Sequence, residues 1–158
     1  MPQTHHHTPP TLWVLLADGE HARVVCPGTV AGSFHTAFAL DSAKAHLRSR
    51  DLGTDQPGRS FESMGNSRSS VGERHDLHEQ AKERFLAFVA DEVNQAATEG
   101  RFDQLVVVAH GRALHALREQ LGELAQQRVI GTLEKDLLPL PDHELGPHLT
   151  EWTPKTAG

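Results

Sequence analysis

Gly65-Asn-Ser-Arg-Ser-Ser-Val-Gly72, Asp76-Leu-His-Glu79 and Val106-Val-Val-Ala-His-Gly111 are the junctions of one continuous block, residues 58–121. The first is a polar Gly/Ser/Arg loop. The second opens a helix: Asp76 is placed to cap it, with Glu79 reaching back as in a capping box. Leu77, Ala81, Phe85, Phe88, Val89, Val93 and Ala96 then recur on one helical face, and Gly100 is placed to end the helix. Leu105 to Ala109 is an unbroken, largely β-branched run that suits a strand buried on both faces. Leu114, Leu117, Leu121 and Leu124 return to helical spacing. Loop, long helix, buried strand and helix, in that order, predict an α/β domain.

The flanks extend this reading. Residues 12–17 and 22–26 are apolar runs joined through Asp18-Gly19-Glu20-His21, a hairpin signal in which glycine takes a positive φ without steric cost. Phe34, Thr36, Phe38 and Leu40 alternate as a third strand. Asp41 or Ser42 caps a short helix over residues 43–50, with Gly53 at its end. Arg59-Ser-Phe-Glu62 suits a minor strand, residues 128–133 a final strand, and residues 142–149 a weak helix interrupted by Gly146-Pro147. The sum is one α/β domain over residues 12–152, with a mixed β-sheet of about five strands flanked by helices. Residues 1–11 and 153–158 are read as tails. His5-His6-His7 takes no part in the argument.

At 158 residues the chain is long enough for one substantial core. No apolar run reaches the ~20 residues that span a bilayer, and residues 1–11 lack the pattern of a secretory signal. These features predict a cytoplasmic protein without a membrane partner. The one cysteine, Cys26, fits a reducing compartment and a small buried hydrophobe. A net charge of −6 argues against whole-surface nucleic-acid binding, and no DNA partner is expected. Residues 42–75 are nonetheless locally basic by two: Lys44, Arg48, Arg50, Arg59, Arg68 and Arg74 stand against Asp51, Asp55, Glu62 and Glu73. The loop of residues 59–74 can therefore meet phosphate at one point on an acidic body. Its candidate binding residues are Arg59, Asn66, Arg68 and Arg74.

The Asp18-Gly19 hairpin, Leu52-Gly-Thr-Asp-Gln-Pro-Gly-Arg59-Ser-Phe61, Asp76-x-His78-Glu79 and Phe102-Asp-x-Leu-Val-Val-Val-Ala109 together resemble the host attachment family. Leu114-x-x-Leu117-Arg118, Lys135-Asp136-Leu137 and Leu145-x-x-x-Leu149 continue the resemblance, which covers roughly residues 12–150. These are bacterial proteins associated with attachment to host cells. The family in turn looks like the middle domain of archaeal and eukaryotic peptide-chain release factors. There a glycine-rich loop precedes a long helix, and the following strand ends in Ala-Gly. The corresponding strand end here is Ala109-His110-Gly111. The release-factor loop carries Gly-Gly-Gln; this chain has Gly65-Asn66-Ser67-Arg68 instead. The resemblance thus implies the architecture, a loop held toward a ribosome, RNA or another large partner, and argues against an enzyme. Because no export signal is visible, any link to attachment is expected to act indirectly, from the cytoplasm.

Chemistry has one alternative foothold. His78 and Glu79 at the helix start, with His110 at a strand's carboxyl end, would serve a small histidine- or metal-dependent phosphoester hydrolase. His75 and Glu79, four apart, share a helix face, but no spacing supplies a third ligand, so neither a metal nor another cofactor is expected. There is no Gly-x-Gly-x-x-Gly, no Walker lysine and no Gly-x-Ser-x-Gly elbow. The leucine stripe over 114–124 is core or, in a homodimer, an interface.

Overall fold

The structure, a computed structural model, describes residues 10–51 and 71–152. Five strands form one mixed sheet in the order β3-β2-β1-β4-β5. They are β1 (Leu12–Ala17), β2 (His21–Pro27), β3 (Phe34–Asp41), β4 (Gln104–Ala109) and β5 (Val129–Leu133). The β1–β2 and β2–β3 pairs are antiparallel; β1–β4 and β4–β5 are parallel. Among the described residues four helices accompany them: α1 (Ser42–Asp51), α2 (Val71–Thr98), α3 (Gly111–Gln120) and α4 (Glu123–Gln127). Three 3₁₀ turns follow, Asp142–Glu144, Gly146–His148 and Thr150–Trp152.

The side-chain alternation of β1 and β4 divides the core between the two faces of the sheet. Trp13, Leu15, Leu105 and Val107 pack with Phe85, Val89, Val93, Leu117 and Ala125 of the helices. Val14, Leu16, Val106 and Val108 pack with Leu137, Leu145 and Leu149 of the C-terminal segment. Trp13 stacks on Phe102 with ring centroids 4.8 Å apart, and Arg101 lies over the Trp13 ring. Arg23 of β2 fastens the C-terminal segment to the sheet, its guanidinium donating to the carbonyls of Leu138 and Leu140.

Both edge strands are interrupted by an extra residue. Ala37 falls between the β3 residues paired with Val24 and Val25, and Ile130 between the β5 residues paired with Leu105 and Val106. Such bulges turn an edge away from further pairing.

The expected five-strand α/β architecture is present, and several local readings change. Helix α2 begins at Val71, so Asp76 is an interior residue with no helix terminus to cap, and the expected capping box is absent. Leu77 and Ala81 are exposed; the buried face begins only at Phe85. The leucine stripe breaks into two helices at Leu121-Gly122, where Asn94 of α2 accepts the Gly122 N–H at 2.7 Å and donates to the Gln120 carbonyl. The weak C-terminal helix is a run of 3₁₀ turns. The hairpin turn does not need a positive φ at Gly19: Asp18 Oδ1 accepts the N–H groups of Glu20 and His21, closing an Asx turn. Asp41 does cap α1, accepting the Lys44 N–H at 2.9 Å, and Gly100 ends α2 at φ +70°. The reading of Arg59-Ser-Phe-Glu62 as a strand, and Gly53 as a helix end, lie outside the described residues.

Candidate functional site

Strands β1 and β4 run side by side and parallel, with Ala17 opposite Ala109 at their carboxyl ends. From there the chain leaves in opposite directions. After β1 it turns back into β2; after β4 it enters α3 and continues to β5. Such a divergence opens a crevice in an α/β sheet, because no connection crosses it. Here the crevice is a cleft of about 1040 Å³, bounded by the β1–β2 turn, α2, α3 and the segment after β5.

Small and apolar side chains make part of its wall: Ala17, Leu86, Ala113 and Ala116. Ionisable groups complete it. Glu79 stands on the α2 side, with Arg112 Nη1 at 3.2 Å and Lys82 Nζ at 3.5 Å. Lys82 lays its methylenes along the β1–β2 turn so closely that a Cβ at Gly19 would meet its Cγ at 2.7 Å. His115 Nε2 is 3.3 Å from Glu119 on the exposed surface of α3. His110 precedes α3 with an extended backbone and makes no side-chain cap, and the Gly111 N–H donates to Glu134 Oε2 at 3.2 Å.

Of the candidate catalytic residues, Glu79 and His110 both line this cleft, whereas His78 is exposed and is not among its lining residues. Glu79 is held by two cations, an arrangement suited to tying α2 to α3. Among the described residues, no three His, Cys, Asp or Glu side chains come together to hold a metal ion. Of the candidate binding residues, Arg74 is exposed on the first turns of α2; Arg59, Asn66 and Arg68 lie outside the described residues. Cys26 is half-buried at the β2 edge of the helix-side core, and burial pushes its thiol pKa up, away from nucleophilic use. The sequence reading passed over Lys82, Arg112 and Asp136 as site residues. Their common location depends on the parallel β1–β4 pairing, which joins segments about ninety residues apart.

No described helix is long and apolar enough to cross a membrane. No curated protein matches the chain. Among solved structures, the fold is similar to part of an archaeal translation termination factor, aRF1, at 12% identity and a TM-score of 0.51. The match covers 90% of this chain and 34% of that one, so the chain spans about a third of the termination factor's length. A second archaeal protein is matched at 12% identity over 89% of this chain and 32% of that one, with a TM-score of 0.37. The expected likeness to a release factor is therefore present at the level of fold. Residues 13–149 match the family described as "Protein required for attachment to host cells", and the chain belongs to that host attachment family.

Proposed function

We propose that this chain is a non-enzymatic cytoplasmic binding protein whose partner is RNA or a ribosome-associated particle, engaged through Arg59, Asn66, Arg68 and Arg74. The observation that carries the reading is the reach of α2. Of its 28 residues, those at 71–84 contribute no buried side chain among those described, and the packed face starts at Phe85. At ~1.5 Å per residue, about 21 Å of helix precedes the packed part. The basic polar segment joins that lightly packed end, with Arg74 already on it.

Two further facts support the reading. The fold is similar to part of a protein of translation termination, although at 12% identity this likeness speaks for architecture alone. The excess of two positive charges over residues 42–75 sits on a chain of net charge −6. That pattern confines phosphate contact to one place and leaves the rest of the surface repelled.

The test is co-sedimentation with ribosomes on a salt-stepped gradient. Association should weaken as salt rises and be lost on replacing Arg59, Arg68 and Arg74 together by Ala, with the melting temperature unchanged. No association at low salt, or association indifferent to the triple substitution, overturns the proposal.

A further inference from the structure

The two edges of the sheet are finished differently. On β3, Asp142 accepts the Thr36 N–H at 2.8 Å and Lys44 donates to the Ala39 carbonyl at 2.8 Å, so backbone groups of that edge are occupied. On β5 the outward backbone groups include those of Thr132. Leu105 donates its N–H to the Arg128 carbonyl, so alternate β4 residues, Leu105 and Val107, turn their backbone groups to β5. Thr132 lies opposite Val107, and in a parallel ladder the residue opposite a bonding one turns its own N–H and C=O away. No group among the described residues takes either of them.

The bulge at Ile130 shortens this edge but precedes its central part: Gly131, Thr132 and Leu133 keep unbroken register with Val106, Val107 and Val108. Beside it runs a groove of about 560 Å³, lined by Val129 and Thr132 with Arg118, Leu121 and Gln126. Ile130 on the strand and Leu124 on α4 are exposed apolar side chains.

Charge selects the occupant. A cation, Arg128, precedes the strand and an anion, Asp136, follows it, equally far from Thr132 on either side. Two identical edges related by a two-fold axis pair antiparallel, residue i of one meeting residue j of the other and the reverse. With the axis at Thr132, the Arg128 end of each copy meets the Asp136 end of the other, so opposite charges face each other twice.

We infer that the β5 edge joins a second copy of this chain, the two strands antiparallel about a two-fold axis at Thr132 and the two sheets made one. With so short an edge the dimer is weak and reversible. The inference is independent of the RNA reading, which concerns another surface, and either can fail alone.

The test is sedimentation equilibrium of the full chain over a wide range of concentration at low salt. A reversible monomer–dimer equilibrium is expected. Thr132→Pro removes one donor from each copy and should weaken dimerisation about tenfold or more. An outward N–H at a sheet edge is a place where proline is tolerated, and the melting temperature checks that the variant is folded. Asp136→Arg sets a cation opposite Arg128 and should weaken the dimer severalfold, a difference that added salt reduces. Asp91→Arg, the same charge change at an exposed position of α2, should leave the dimer unaltered. Thr132→Cys gives a second measurement: across the axis the two Cα atoms would stand about 5.5 Å apart, within reach of a disulfide. Mild oxidation should therefore link that variant into a covalent dimer far faster than it links Asp91→Cys. A chain that stays monomeric throughout, a dimer unaffected by Thr132→Pro and Asp136→Arg, or cross-linking no faster at position 132 than at 91 would each overturn the inference.

Discussion

Asp142 takes both hydrogen-bond donors of Thr36: the backbone N–H at 2.8 Å and the hydroxyl at 2.7 Å. A residue of the C-terminal 3₁₀ turns thereby plugs an N–H of the edge strand β3. Lys44 of α1 does the same for a carbonyl of that strand, donating to Ala39 O at 2.8 Å. With the bulge at Ala37, these contacts blunt an edge that would otherwise template further pairing. Desolvation raises the Asp142 pKa, but the Thr36 hydrogen bonds, with Arg23 and His35 nearby, outweigh it and hold the carboxyl below the ordinary aspartate value. A depressed folded-state pKa means that the stabilisation is complete above the unfolded value and disappears as pH falls through the folded one. Replacing Asp142 by Ala should cost about 1–2 kcal/mol at pH 7. The difference from the parent should shrink below about pH 4, where the unfolded aspartate also begins to protonate. Urea unfolding of both proteins across that range is the check; a difference that persists undiminished at pH 2 would contradict the assignment.

The two halves of α2 should respond to truncation very differently. Phe85 and Val89 are buried against the sheet, whereas Leu77 is 63% exposed. Phe85→Ala should lose about 3–5 kcal/mol through lost burial and the cavity left behind. Leu77→Ala should change stability by no more than about 0.5 kcal/mol. Comparable losses at the two positions would mean that the early turns of α2 are packed after all.

The same contrast marks where the sequence was legible. Apolar period and turn chemistry identified all five described strands, because a half-buried or doubly buried strand advertises its faces residue by residue. They misplaced the start of α2, because Asp76 and Glu79 satisfy a capping pattern equally well inside a helix. Glu79 in fact turns to Arg112 and Lys82. The break at Gly122 was likewise invisible locally, since the group that takes its N–H is Asn94, 28 residues away. The cleft was legible only at His110 and Glu79, for its other parts meet through the long-range pairing of β1 with β4.

Two glycines of the C-terminal half should tolerate alanine unequally. A Cβ on Gly131 meets the Trp152 indole at 2.7 Å, and a Cβ on Gly146 would run into the backbone carbonyl oxygen of Gly32. The indole belongs to a terminal turn and can swing aside; the carbonyl belongs to the β2–β3 connection and moves only with its chain. Gly146→Ala should cost about 1–3 kcal/mol, as overpacking does, and Gly131→Ala less. Tryptophan emission separates the mechanisms: Gly131→Ala should shift the Trp152 contribution to the red as the ring leaves β5, while Gly146→Ala should lower the unfolding midpoint. The reverse ordering of midpoints would place the rigid contact at Trp152.

The tie from Glu79 to Arg112 joins two helices across the mouth of the cleft, and it should be weak as a source of stability. The Arg112 side chain is 87% exposed, so solvent and salt screen its charge even at 3.2 Å. A double-mutant cycle of Glu79→Gln and Arg112→Gln should return a coupling of no more than about 1 kcal/mol, falling as salt is raised. Lys82 Nζ, 3.5 Å from Glu79, remains beside the carboxylate when Arg112 is removed. Arg112→Gln alone should leave the melting temperature within about 2 °C of the parent, consistent with a surface substitution. A coupling well above about 1 kcal/mol, or one indifferent to salt, would mean that the pair is shielded from solvent.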